Sequence, residues 1–380
     1  MNRRIIFLFA IVTILLPSAA SFGAELVIGQ VAPFSSDAES DAPGAYLRIG
    51  IQACFESVNR MGGIHGTSIK FVTKDRGSAP KEVVDKTREL IQEAAPVALI
   101  GLPGTGSMEA LIKNGVLEQA GIAVVGIRTG AVSLHEPVNP YLFHTRANYL
   151  GEIQKILVQL STIGINRIAV FSENSPFGRG GVALVERALQ QKPQMQLIKN
   201  ATYEPNAANV ENAVSSMLAS QPQAIISVAT TTATADFYKS FREKGGKAQV
   251  VALSLTDPDK LVKRIGREHA QGLMVTELVP APTNTSVPLI RELRDNLKKY
   301  GPANVELNAT IVEGYLAAKT LVEALRGLGP NPTRKQIRSA LESMRSFDAG
   351  GVIIGFSPTN HTGSKYVELA ILLASGKLMR

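Results

Sequence analysis

Gly101-Leu102-Pro103-Gly104-Thr105-Gly106-Ser107 is a stretch whose residue types suit anion binding. It follows a short apolar run, Val97–Ile100, that reads as a buried strand. It precedes a helical pattern with Met108, Leu111 and Ile112 on one face. A helix start carries unpaired backbone N–H groups and the positive end of the helix dipole. Gly104 and Gly106 allow close approach to the backbone, and Thr105 and Ser107 add hydroxyls. The same residues also suit a plain strand-to-helix turn, and the stretch alone leaves both readings open. A phosphate-binding P-loop is excluded, because Gly106 is followed by Ser107 and Met108 and the next lysine is Lys113. The G-x-G-x-x-G spacing of a dinucleotide site is missing. A second loop, Arg128-Thr129-Gly130-Ala131, follows the apolar run Ile122–Ile127 in the same manner.

Other reactive residue types do not assemble. The five histidines, His65, His135, His144, His269 and His361, show no metal-ligand spacing, so no metal is expected. No G-x-S-x-G elbow is present, and no base stands near Ser107 in the sequence. Cys54 is the single cysteine, so no intrachain disulfide forms. Its neighbours Ile51, Phe55 and Val58 place it on an apolar helix face, as an inert thiol. These absences argue against an enzyme and against a bound cofactor.

The elements that would carry the two loops alternate regularly. Leu26–Ala32, Ile69–Thr73, Ile122–Ile127 and Leu142–Thr145 read as strands, with helices at Ala45–Met61 and Pro80–Glu93 between them. After Arg146–Tyr149, which reads as a crossover, the rhythm restarts. Strands are expected at Arg167–Phe171, Ala224–Val228, Val250–Leu253 and Leu273–Leu278. Helices are expected at Gly181–Gln191, Asn209–Ala219, Phe237–Lys244, Ser286–Tyr300, Thr310–Leu325 and Thr333–Met344. Ser172–Gly180 and Thr230–Thr234 read as polar loops, and the tail as strands at Ile353–Phe356 and Val367–Leu373. This is an α/β pattern with parallel sheets covered on both faces. At 380 residues, two such lobes are expected, with Ser-, Thr- and Gly-rich loops facing a polar cleft.

The first 23 residues have another purpose. Arg3 and Arg4 precede the apolar run Ile5–Leu16, and small residues follow up to Ala24. That is a secretory signal peptide, cleaved after Gly23, and too short to span a bilayer. The formal charge of +8 falls to +6 when Arg3 and Arg4 leave. The remaining basic residues are scattered over helix faces, so a nucleic-acid partner is not expected.

The segments IGQVAPFS, FESVNRMGGIHG, LIGLPGTGS, AGIAVVG, YLFHTRANY, RIAVFSENSPFGRGG, EGYLAAKTLVEAL and GFSPTNHTGSKYVEL occur in that order. Together they make the chain resemble the type I periplasmic solute-binding proteins of the branched-chain amino acid (leucine/isoleucine/valine-binding) group, which serve ABC uptake transporters. The resemblance implies two Rossmann-like lobes joined by a three-segment hinge that closes on a ligand. Lobe 1 would comprise 24–147 plus 280–352, and lobe 2 would comprise 148–279 plus 353–380. The crossovers would lie near Arg146–Tyr149, Glu277–Pro280 and Gly351–Gly355. It implies a periplasmic protein whose partners are a small amino acid or organic acid and a membrane permease. The alternative is a ligand-sensing subunit that feeds a membrane signalling protein.

For the site, the resemblance implies a ligand carboxylate held by Thr105, Gly106, Ser107, Arg128, Thr129 and Gly130 of lobe 1. Phe177 of lobe 2 would close over the ligand, with Thr230 and Thr231 as further contacts. Phe34, after the first strand, joins this candidate set. Two departures stand out. The place of the carboxylate that takes an amino acid's ammonium reads Ser254-Leu255-Thr256, with Asp257 late. Arg128 stands where amino-acid binders have a small residue. Its guanidinium either enters the cleft to meet an anion or turns outward to Asp37 or Glu39.

Overall fold

The computed structural model describes residues 25–34, 43–77, 82–205 and 209–380. The signal segment and Asp37 and Glu39 lie outside them. The first half runs β1 (Leu26–Ala32), α1 (Pro43–Arg60), β2 (Ile69–Asp75), α2 (Glu82–Ala94), β3 (Ala98–Ile100), α3 (Thr105–Lys113), α4 (Val116–Ala120), β4 (Val124–Val125) and β5 (Leu142–Phe143). Its five strands pair in parallel in the order β2-β1-β3-β4-β5. The apolar strands are buried on both faces, as their unbroken hydrophobic runs require. On α1 the stripe Leu47, Ile51, Cys54, Phe55 and Val58 is buried. Burial pushes the Cys54 thiol up to about 12, so it stays protonated.

The second half runs α5 (Tyr149–Thr162), β6 (Arg167–Glu173), α6 (Pro176–Leu189), β7 (Gln196–Tyr203), α7 (Glu211–Ser220), β8 (Ala224–Val228), α8 (Thr231–Glu243), β9 (Gln249–Ala252), α9 (Pro258–Ile265), α10 (Arg267–Ala270) and β10 (Met274–Glu277). The chain then forms α11 (Pro288–Tyr300), α12 (Ala309–Arg326) and α13 (Arg334–Ser343). It ends in β11 (Phe347–Asp348), β12 (Ile353–Ile354), β13 (Glu368–Leu372) and β14 (Leu378–Met379). The second sheet has the order β14-β13-β10-β9-β8-β6-β7, with β13 and β14 antiparallel. Helices α11 and α12 return to the core of the first sheet. There α12 lies directly on α1: a Cβ on Gly50 would stand 2.0 Å from Ile311 O, and one on Gly314 would stand 2.3 Å from Leu47 O. Only glycine permits that approach.

Several boundaries differ from the sequence expectation. Helix α6 begins at Pro176, because Ser175 Oγ accepts from Gly178 N and Pro176 suits the first turn. Helix α8 begins at Thr231, because Thr230 caps it by accepting from Ala233 N. The strand expected over Ile122–Ile127 pairs only at Val124–Val125. Strand β7 was absent from the expectation: it lies at the sheet edge, and its polar, largely exposed sequence carries little apolar signal. The third crossover also lies later than Gly351–Gly355. Ile354 and Phe356 pack in the core of the first sheet, and His361 Nδ1 lies 3.0 Å from both Asn139 O and Leu142 O. The chain leaves the first sheet only after Gly363, whose N donates to His144 O at 2.7 Å.

At that point three histidines are buried together. The His135 and His144 rings stack with centroids 3.6 Å apart, and His361 stacks on Phe143. Burial lowers all three and holds His135 at about 4; neighbouring positive groups add to it at His135 and His144, whereas the backbone carbonyls of Leu142 and Asn139 oppose it at His361. Arg146 adds repulsion toward His135 and His144, while Glu342 and Arg338 face His361. In the unfolded chain each would titrate near 6.5. A histidine depressed in the fold leaves stability intact above that value and removes it as pH falls toward the folded value. Urea unfolding should therefore show His135 alone costing about 3 kcal/mol between pH 7 and pH 4. A His135→Gln variant should show a flatter profile over this range, and equal slopes in the two proteins would contradict the assignment.

Candidate ligand cleft between the lobes

The two loops singled out in the sequence meet at the C-terminal edge of the first sheet. Gly104 N donates to Arg128 O at 3.3 Å, and Arg128 N donates to Leu102 O at 3.1 Å. The Thr105 and Thr129 hydroxyls lie 2.7 Å apart, and both residues are buried. Thr129 Oγ1 lies 3.4 Å from the Tyr149 hydroxyl. Gly130 is required here, since a Cβ would stand 2.7 Å from the Tyr149 ring. Phe177, from the second lobe, reaches the other side of Tyr149 with ring centroids 5.5 Å apart. Thr105, Thr129, Gly130 and Phe177 thus gather around Tyr149, which the sequence reading passed over as part of a crossover. Gly106 is exposed on the first turn of α3. Ser107 is buried, with no hydrogen-bond partner for its hydroxyl.

A second cluster is made of charges. Arg146 Nη1 donates to Glu313 Oε2 on α12 at 3.1 Å, and Nη2 donates to Ser254 Oγ and lies 3.7 Å from Glu152 Oε1 on α5. Glu152 accepts from Ser254 N and Ser254 Oγ, both at 2.9 Å, and from Thr276 Oγ1. Burial presses Arg146 down, but Glu313 and Glu152 outweigh it and hold the guanidinium above its ordinary value. Burial pushes the Glu152 carboxyl up, against Arg146 and its hydroxyl donors. Arg128 Nε stands 3.7 Å from Glu313 Oε1, an ion pair beyond hydrogen-bond reach, and has no hydrogen-bond partner. Arg128 faces Glu313; Asp37 and Glu39, its alternative partners in the sequence, lie outside the described residues.

A cavity of about 830 Å³ opens between the two lobes, lined among others by Arg128, Ser254, Thr256, Asp257, Asn308 and Thr310. Thr105, Thr129, Phe177 and Thr230 are outside its lining. Thr230 is exposed, with its hydroxyl on the α8 cap and near Tyr203 OH. The Thr231 hydroxyl accepts from Asp257 N at 3.0 Å, so it braces the Ser254–Asp257 loop. Asp257 Oδ1 accepts from Asp259 N and Lys260 N, so that oxygen is committed to the α9 cap. Phe34 joins neither cluster: it lies under the Arg48 guanidinium, 4.4 Å from ring centroid to Cζ. Among the described residues, no group of three or more His, Cys, Asp or Glu could hold a metal ion, and no helix is long and apolar enough to cross a membrane.

Comparison with known proteins follows the fold. The family model described as periplasmic binding protein matches residues 25–377, so this chain belongs to that family, and the family implies a periplasmic place. A substrate-binding periplasmic protein from Ralstonia solanacearum is 35% identical in sequence, with a TM-score of 0.86 over 93% of this chain and 99% of that one. A structure described as a possible leucine/isoleucine/valine-binding protein from Rhodopirellula baltica is 25% identical, with a TM-score of 0.86 over 95% and 98%. An amino acid binding protein from Pseudomonas aeruginosa is 21% identical over 82% of this chain and 81% of its own length.

The charged cluster should be costly to break. Glu152→Gln leaves Arg146 buried with one carboxylate fewer, and such losses cost about 3–5 kcal/mol. Denaturant unfolding of the variant should show a loss of that size. A loss under about 1 kcal/mol would mean that Glu313 and Ser254 alone satisfy Arg146.

Proposed function

We propose that the protein is the solute-binding component of an ABC uptake transporter, and that it takes a small acid between its lobes by hinge closure. The observation that carries this reading is Arg128: a cation that lines the cavity between the lobes, 3.7 Å from Glu313, with a buried Nε that makes no hydrogen bond to the protein. A ligand anion would supply that hydrogen-bond acceptor, and the paired hydroxyls of Thr105 and Thr129 stand one loop away. The two lobes, 24–147 plus 280–363 and 148–279 plus 364–380, move about the crossovers without turnover of the ligand. The N-terminal signal directs export. Gly106 on the first turn of α3 and the buried hydroxyls of Ser107 and Thr129 stand behind Arg128 as the candidate polar contacts of lobe 1, with Gly130 beside Thr129, and Phe177 stands on the opposing lobe.

The amino-acid binders to which the chain is similar in sequence suggest an amino acid as ligand. At the place where a carboxylate would take an α-ammonium, Ser254 bonds to Glu152 and Asp257 Oδ1 caps α9, which favours an acid without an α-amino group; Asp259, Glu277 and Glu306 are the other carboxylates of the cavity wall. A thermal-shift screen over amino acids, aliphatic acids and aromatic acids should give a rise in Tm for at least one acid, since a ligand that binds only the fold stabilises it by mass action. Arg128→Ala should weaken that acid by about 2–5 kcal/mol in calorimetry. A marked preference for the 2-amino analogue, unaffected by Arg128→Ala, would return the protein to ordinary branched-chain amino acid binding. Chemical consumption of the ligand would remove the binding-protein reading altogether.

A further inference from the structure

The lobes touch a second time at the solvent edge of the cavity. Helix α9 belongs to the second lobe, and its Lys260 and Lys263 stand three positions apart, on one face. Lys263 Nζ donates to Glu306 Oε2 at 3.3 Å, and Glu306 belongs to the segment between α11 and α12 of the first lobe. Lys260 Nζ stands 5.0 Å from the centroid of the Tyr46 ring on α1, also in the first lobe. Asp259 and Glu306 line the cavity from opposite lobes, whereas Lys263 and Tyr46 lie outside its lining. The side chains of Lys263 and Glu306 are each 72% exposed, so this pair faces water, while the Arg146 junction is buried.

The acids of this cluster oppose one another. Burial lifts the Asp259 carboxyl above its ordinary value, and the charges of Asp257 and Glu306 lift it further. Glu306 thus repels Asp259 from across the cleft. Lys263, one helical turn on from Asp259, acts against that repulsion and lowers Asp259. The bond to Glu306 in turn raises the Lys263 ammonium, with Asp259 adding to it. One ammonium therefore serves an acid of its own lobe and an acid of the other. Without it, the lobes would meet here through like charges. A further exposed pair, Arg187 with Glu136 at 3.4 Å, also joins the lobes, but neither residue lines the cavity.

The two junctions differ in what it costs to part them. Separating Arg146 from its carboxylates strands a buried ion, which is expensive. Separating Lys263 from Glu306 returns two exposed groups to water, at small cost. Resting on the reading of the protein as two lobes that close on a ligand, we propose that α9 carries the latch of that closure. Lys263 holds Glu306 and screens Asp259 from it, and Lys260 seats on Tyr46. Lys263, outside the cavity wall, in this way sets the balance between open and closed lobes.

Spin labels at Ala303→Cys and Glu268→Cys, exposed positions on opposite lobes, report lobe separation by double electron–electron resonance. The full chain is used with no acid added, and the buried, protonated Cys54 escapes labelling. Lys263→Met should shift the ratio of separated to closed lobes about two- to fivefold toward separation, the range of an exposed ion pair. Adding Asp259→Asn should recover part of that shift, since the like-charge contact goes with it. The charge exchange Lys263→Glu with Glu306→Lys should restore the closed population. Salt at about 1 M, where the Debye length is about 3 Å, should open the unaltered protein in the same direction. Circular dichroism checks that the variants fold, and the salt series needs no variant. A distribution unmoved by Lys263→Met, or one that neither Asp259→Asn nor the charge exchange restores, would overturn the latch. Small-acid binding is read separately in the thermal-shift screen, so it stands or falls without this result.

Discussion

The Arg146 guanidinium, held between Glu313 and Glu152, is the interaction on which the rest of the cleft depends. Arg146 is 1% exposed and Glu152 is 0% exposed, so neither charge has water to turn to. A buried ion is tolerated when its hydrogen bonds are met by good partners. Here they come from both lobes: Arg146 donates to Glu313 from α12 over the first sheet and to Ser254 from the second, with Nε left without a partner, and Glu152 accepts from Ser254 and Thr276. The requirement to satisfy one guanidinium therefore fixes how the two lobes meet. It also decides what a ligand encounters. Glu152 and Arg146 are withdrawn from the cavity, and Arg128 and Ser254 are left on its wall.

The same region is braced by apolar and backbone contacts. The segment around His361–Gly363 adds backbone bonds to His144, whose ring stacks on that of His135. Below them α1 and α12 touch backbone to backbone through Gly50 and Gly314. Since α12 also carries Glu313, the glycine contact sets the depth at which that carboxylate stands. Packing in the core of the first lobe and charge placement at the cleft are in this way one problem.

Much of this was legible in the sequence where the signal is local. The unbroken apolar run of β1 and the stripe of α1 marked a buried sheet with a covering helix. The Gly- and Thr-rich loops after β3 and β4 were recognised as neighbours, and Thr105 and Thr129 do touch. The features that were not legible depend on partners distant in the chain. Glu152 and Glu313 look like ordinary helix acids until the fold brings them to Arg146 across separations of 6 and 167 residues. Thr231 reads as a contact for a ligand, whereas its hydroxyl accepts from Asp257 N and braces that loop. Edge strand β7 escaped because exposure leaves it without apolar alternation.

The central claim is that two lobes close on a ligand around this charged junction. Small-angle X-ray scattering of the protein with and without a ligand found by thermal shift addresses it directly. Closure should appear as a smaller radius of gyration at saturating ligand, reversed on dialysis. A radius of gyration unchanged at full occupancy would contradict hinge closure.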